Sequence, residues 1–331
     1  MSLIRKLNTR AKTANNTGFG TNSSDYGGRF INKSGQANIE KHGIPLLERI
    51  SWYHTMLSVG TLKFLFIIIS FFITVNLVFA GIYYFNGVEH LYGMNTGNEI
   101  EKFGEAFFFS TQTFTTVGYG RISPTGFGTS AIAAFEALLG LLTFSIATGL
   151  FYGRFSKPKA YIKFSGNAII APYRDITALM VRIAPYKNAT LTDAEAKLTL
   201  GMMVEENGKP VNKFFPLELE YEKVNALNLS WTIVHPITES SPLYKFTADD
   251  FTNTRGEIIL YLKAFDDMFS NNVVTRSSYL FSEVVAGARF VPMYQRSGEG
   301  NKTILHLEKI NRFVEADISY AFTDAGSAIS S

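Results

Sequence analysis

Thr116-Val117-Gly118-Tyr119-Gly120 is the stretch whose residue types and spacing most directly imply chemistry. Glycines on either side of a tyrosine let the backbone enter conformations that residues with a Cβ avoid, so that successive carbonyl oxygens can line one side of a narrow strand. Four such strands around an axis would replace the hydration shell of a potassium ion, the chemistry for which this pentapeptide is known. Thr116 can add its hydroxyl to the innermost ring. The only bound species this requires is the permeant K+ itself, with no cofactor. One chain supplies a quarter of each ring, which implies a homotetramer.

The elements that must hold this ribbon lie on both sides of it. Residues 62–85 read as a first membrane span, with Lys63 as the only full charge, at an end where it can snorkel. Within it, Asn76 is expected to hydrogen-bond a neighbouring helix. Residues 101–114 read as a short re-entrant pore helix whose early acids suit its amino end and whose carboxyl end leads into the filter at 116–120. Residues 127–155 read as the second span, and Glu136, Thr143, Ser145 and Thr148 are what a helix beside a wet cavity would carry. Glu136 either bonds the back of the filter through Thr or Tyr hydroxyls or binds ions directly. Gly140 permits a hinge or a close helix contact. Ahead of this pore domain of residues 61–155, residues 46–60 are amphipathic, with Trp52 and Tyr53. They read as a slide helix in the headgroup layer or as the first turns of the span, with Gly60 as a natural bend. Acidic residues dominate between the spans, whereas Arg154, Lys157, Lys159 and Lys163 follow the second one, which puts both termini in the cytoplasm.

The remainder is soluble in character. Residues 1–45 are polar and lack the apolar core of a signal peptide, although Arg29 to Gly35 alternates enough for a short strand paired with something downstream. After a linker at 156–160, residues 161–313 show alternating runs such as Leu217-Glu218-Leu219-Glu220-Tyr221 and Ile258-Ile259-Leu260-Tyr261-Leu262. Turns are expected at Asn207-Gly208 and Asn271-Asn272, and the pattern fits an all-β, immunoglobulin-like sandwich. Residues 314–331 are small and polar and are expected to be loose. The chain has 331 residues, a formal charge of +3 and no cysteine, which excludes disulfides and thiolate metal sites and gives no footing for nucleic acid. No catalytic constellation can be assembled: His235 and His306 lack a nucleophile at motif spacing, and His235 reads as a satisfied structural histidine.

With span, pore helix, filter, span and β-domain in that order, the chain resembles the inward-rectifier potassium channel family, especially its bacterial branch. The likeness rests on the filter and on separate stretches besides it. These are Arg29-Phe30-Ile31-Asn32-Lys33-Ser34-Gly35-Gln36-Ala37-Asn38-Ile39, Trp52-Tyr53-His54, residues 160–171, Ser240-Ser241-Pro242-Leu243-Tyr244, Arg276-Ser277-Ser278-Tyr279 and Gly287-Ala288-Arg289-Phe290.

The resemblance implies roles for single residues. Tyr152 falls where the family places a bulky side chain at the inner-helix crossing, as a hydrophobic gate, the alternative being an interfacial anchor. Phe144 stands where strong rectifiers carry an acid, which implies weak block by polyamines or Mg2+. Asp267 matches an acid of the cytoplasmic pore, beside a constriction loop, Met268 to Asn272 with Ser270 at its centre, that is bulkier than the family's small-residue versions. Gln112 replaces the pore-helix glutamate, so the family's ion pair with an arginine after the filter, here Arg121, cannot form in the usual way. Arg49, Lys63, Arg154, Lys157 and Lys159 would gather at the inner membrane face, either binding anionic lipid or simply anchoring the protein. The implied protein is a bacterial inner-membrane channel. The competing reading is a membrane-anchored β-sandwich sensor or scaffold with a non-conducting pore, which needs residues 101–120 to be an extracellular loop.

Overall fold

A computed structural model describes residues 11–13, 28–45, 48, 51–95, 97–187, 190–206, 209–298 and 300–318. Arg49, the Asn207-Gly208 turn and the tail beyond residue 318 lie outside the described residues. The chain divides into two compact units, one of residues 42–157 and one of residues 1–41 with 158–331.

The first unit is helical. Helix α1 (Trp52–Ser58) starts where the Ser51 side chain accepts from the His54 amide, and it stops after two turns because Val59 and Gly60 are extended. Helix α2 (Thr61–Asn86) is the first of two helices long and apolar enough to cross a membrane. Asn98 caps α3 (Glu99–Phe114), its side chain accepting from the Glu101 amide at 3.0 Å, and this starts the pore helix two residues ahead of 101. The second long apolar helix is α4 (Phe127–Phe155). Phe79, Ala80 and Tyr83 of α2, Ala106 and Phe109 of α3 and Ala133 of α4 bury one another. A two-residue antiparallel ladder, Leu91–Tyr92 with Ser123–Pro124, closes the far end of the same cluster. The competing loop reading of residues 101–120 fails here, because α3 is packed into the same core as both spans.

The second unit is a β-sandwich. One sheet is formed by β1 (Ile162–Phe164), β2 (Ala168–Tyr173), β3 (Ile176–Pro185), β7 (Trp231–Pro236) and β10 (Val284–Ala286), in the order β10-β2-β3-β1 with β7 also paired to β3. The other is formed by β4 (Leu191–Glu206), β5 (Lys209–Leu217), β6 (Lys223–Ala226), β8 (Gly256–Asp266) and β9 (Asn271–Leu280), in the order β9-β8-β4-β5 with β6 on β4. All pairings are antiparallel except that of β10 with β2. Alternation of side chains across the pleat explains the core: along β7, Trp231, Ile233 and His235 are buried while Thr232 and Val234 are half-buried. Leu179 and Ile183 of one sheet meet Leu198, Leu200 and Leu260 of the other.

Four local expectations are corrected. The run from Leu217 to Tyr221 is not one strand, since β5 ends at Leu217 and β6 starts at Lys223. Residues 314–318 are not loose: Val314 and Glu315 pair with Arg289 and Ala288, and Ile318 is buried in the sandwich core. Asn271-Asn272 is not a turn but the start of β9, since Asp266 pairs with Asn271. The reversal occupies residues 267–270, where the Asp266 carboxylate accepts the Met268 and Phe269 amides and Ser270 takes a φ of 47°. The stretch from Arg29 to Gly35 does not form a strand with the β-domain. Ile31 bridges Ala37, six residues on, and the buried Glu257 carboxylate takes the Phe30 and Ile31 amides at 2.5 and 3.0 Å, with the Ser278 hydroxyl on the Ile31 carbonyl. A side chain thus fills the bonding positions a strand edge would have occupied.

Candidate functional site

The ribbon after α3 is held from behind by the helix that delivers it. The amides of Val117 and Gly118 both donate to the Gln112 carbonyl, at 2.9 and 3.2 Å, and that of Thr116 donates to Thr113 at 3.0 Å. Left-handed backbone recurs at every second residue, with φ of 60°, 51° and 81° at Thr116, Gly118 and Gly120. Glycine accommodates this freely, whereas a β-branched residue does so at a cost of about 1–2 kcal/mol. That Thr116 bears this strain was not legible in its residue type. Val117 and Tyr119 are 53% and 80% exposed in the single chain. The carboxyl end of α3, where unpaired carbonyls concentrate partial negative charge, runs directly into the ribbon.

Glu136 is fully buried. Tyr83 Oη donates to its Oε2 at 2.6 Å, and Ser110 Oγ contacts its Oε1. Ser110 Oγ also lies 2.9 Å from Asn76 Oδ1, and Asn76 Nδ2 donates to the Phe72 carbonyl at 2.7 Å. These contacts of Glu136 are structural ones, to hydroxyls of α2 and α3 rather than to the ribbon itself. Tyr83 and Ser110 are partners that residue spacing did not single out. One turn further along α4, Gly140 meets the end of α3 so closely that a Cβ there would lie 1.9 Å from the Phe114 carbonyl oxygen. Of its two sequence alternatives the structure displays the helix contact, and α4 runs unbroken through it.

Arg121 finds a partner despite Gln112. Its guanidinium bonds Glu105 at 2.5 Å. Glu105 precedes Gln112 by seven residues, close to two helical turns, so it projects from nearly the same face of α3. That spacing could have revealed it.

At the other end of the spans, Arg154 uses its guanidinium inside the protein. It donates to the Met56 and Val59 carbonyls at 2.6 and 2.8 Å and lies 4.4 Å from the Phe64 ring centre. These are the unpaired carbonyls at the end of α1, so Arg154 fastens α1 to α4. Lys63, Lys157 and Lys159 are exposed. Tyr152 and Phe144 are 75% and 72% exposed. Phe144 lines, with Thr115, Thr116 and Leu150, an apolar recess of about 550 Å³ between α2 and α4. In the β-domain, Asp267 accepts from the Thr192 hydroxyl at 3.0 Å in an exposed loop that also carries Ser270. His235 is buried between the Glu218 carbonyl, 2.6 Å from Nδ1, and the Ser241 hydroxyl, 2.8 Å from Nε2. A carbonyl can only accept, so Nδ1 carries the hydrogen. Burial lowers the imidazole below its ordinary range.

Comparison with known proteins matches both halves of the chain. The family described as "Inward rectifier potassium channel C-terminal domain" matches residues 162–325, and that described as "Ion channel" matches residues 66–157. The inward rectifier potassium channel Kirbac3.1 of Paramagnetospirillum magnetotacticum is 30% identical over 286 residues, 83% of this chain and 92% of that protein. The inward rectifier potassium channel irk-1 of Caenorhabditis elegans is 25% identical over 81% of this chain and 54% of its own length, so the chain spans about half of that relative. Among solved structures, the sporulation control protein Spo0M of Bacillus subtilis covers 50% of this chain and 70% of its own at 9% identity with a TM-score of 0.23, too slight a likeness to bear on the fold. The ribbon-bearing span pair and the sandwich that follows it are therefore shared, along nearly the whole of one bacterial relative, and this chain belongs to the inward rectifier potassium channel family.

Proposed function

We propose that four copies of this chain form a potassium-selective channel that carries K+ passively through a ring of Thr116 to Gly120 carbonyls. The observation that carries this reading is the alternate left-handed backbone of that ribbon, tied to the Gln112 carbonyl at the end of a helix buried between two spans. Backbone so arranged can turn its carbonyls to one side, and the helix end adds negative potential where a cation would wait. The family is one of ion channels rather than enzymes, so the chain needs no covalent chemistry.

Tyr152 is assigned to the inner gate, where four exposed rings would dewet a constriction. Residues 156–160 connect the sandwich to the gate helix, and both termini lie in the cytoplasm beside a bacterial inner membrane. Phe144, where an acid would hold a blocking cation, leaves Asp267 as the remaining acid for weak block by polyamine or Mg2+. Anionic lipid head groups are the proposed regulators, attracted by the exposed basic side chains Lys63, Lys157 and Lys159. Arg154 serves that site indirectly, by fixing α1 to α4.

Purified protein in liposomes tests the reading. Potassium uptake that exceeds sodium uptake and is blocked by barium is the expected result. An intact, folded protein that passes neither ion under any lipid composition would overturn it in favour of a non-conducting scaffold.

A further inference from the structure

The oxygens behind the ribbon need one more hydrogen than a charged glutamate leaves them. A serine hydroxyl has a single hydrogen to donate, whereas carboxylate and amide oxygens only accept. Yet Ser110 Oγ stands between two such acceptors, Glu136 Oε1 and Asn76 Oδ1. Turning the Asn76 amide over would supply Ser110 with a donor, but it would set Oδ1 against the Phe72 carbonyl that Nδ2 now meets at 2.7 Å. A hydrogen on Glu136 Oε1 completes the chain in one direction. Glu136 then donates to Ser110, Ser110 to Asn76, and Asn76 to the Phe72 carbonyl, while Tyr83 donates to Oε2. Asn76, Ser110 and Glu136 are each fully buried, and among the described residues no Lys, Arg or His lies within ion-pair distance of Glu136. An unpaired charge in such a place is strongly disfavoured.

We infer that Glu136 is held as a neutral carboxylic acid and acts as a hydrogen-donating positioning residue that sets the depth of the pore helix. The relay joins α2 through Asn76 and Tyr83, α3 through Ser110, and α4 through Glu136. Ser110 and Phe114 stand four apart on α3, and their partners Glu136 and Gly140 stand four apart on α4, so the two helices are docked at two points a turn apart. The upper point is polar and directional, the lower one steric. A neutral acid fixes this register without adding fixed charge behind the ribbon.

The inference uses the channel reading only for its flux readout, and a spectroscopic one stands apart from it. In infrared spectra of the full-length protein in lipid at neutral pH, the parent is expected to show a protonated carboxylic carbonyl band that shifts in D2O and is missing from Glu136→Gln. Absence of that band from the parent would overturn the inference whether or not the protein conducts. In liposomes, Glu136→Ala and Ser110→Ala are expected to lower potassium-over-sodium selectivity about tenfold, the size of one lost buried hydrogen bond. Glu136→Gln, whose amide still donates to Ser110 and accepts from Tyr83, should restore most of it. Gln as damaging as Ala would mean that a charge, not a hydrogen, is required there. Should the parent pass no potassium at all, the channel reading falls, and the carbonyl band still decides the state of Glu136.

Discussion

Leu200, Phe215 and Leu260 in the sandwich are sealed from solvent within one chain, whereas Val117 and Tyr119 of the ribbon are 53% and 80% exposed in that same chain. The spans resemble the ribbon: Phe66, Phe135 and Leu141 all face outward. The sandwich completes its core from its own residues, and its stability is a property of the single polypeptide. The pore region instead buries only the surface where α2, α3 and α4 meet. Its remaining apolar faces suit lipid and further copies, and its carbonyls suit an ion. Substitutions in the two regions should therefore fail in different ways.

The sharpest test of that contrast is Gly118→Ala. Alanine at a φ of 51° costs about 1–2 kcal/mol in every subunit and turns the carbonyl row. Selective flux should vanish while the unfolding transition of the sandwich stays where it was, and a variant that still selects potassium would break the comparison. Next comes Gly140→Ala, whose Cβ would meet the Phe114 carbonyl oxygen at 1.9 Å. Size-exclusion chromatography should show loss of the assembled species, while Gly149→Ala, with nothing within 4 Å of its Cβ, should elute like the parent. Phe215→Ala reverses the pattern. Losing a fully buried ring should destabilise the sandwich by about 3–5 kcal/mol in denaturant titrations, yet leave ion selectivity of the folded fraction unaltered.

The smallest expected effect concerns pH. Burial holds the His235 imidazole below its ordinary value of 6.5, so the native state resists a proton that the unfolded chain accepts. Its contribution to stability is complete above that ordinary value and declines as pH falls below it. Melting curves of the sandwich should therefore drop on acidification through that range, and His235→Gln should flatten the drop. A parent whose melting temperature held steady there would show that His235 does not titrate as its burial implies.

Much of the fold was legible because its determinants are local. Apolar length marked α2 and α4, alternation at residues 258–262 marked β8, and the early acids marked the amino-terminal part of α3. Where a side chain competed for backbone amides, local reading slipped: the neighbouring Asp266 carboxylate moved a turn away from Asn271-Asn272, and Glu257, distant in sequence, captured amides that Arg29 to Gly35 was expected to give to a strand.

By itself, the sequence determined the order of spans, ribbon and sandwich, and the ion the ribbon suits, since backbone freedom and hydrophobic length are properties of neighbouring residues. Only the tertiary structure decided that Glu136 meets Ser110 and Tyr83, that Arg121 pairs with Glu105, that Arg154 caps α1, and that Gly140 admits the Phe114 carbonyl. Each of those partnerships joins residues 16 or more positions apart, as in the 16 between Glu105 and Arg121. Which of them meet depends on the rotation and depth at which packed helices settle, and close packing across the whole bundle sets that rotation, beyond the reach of any short window of residues.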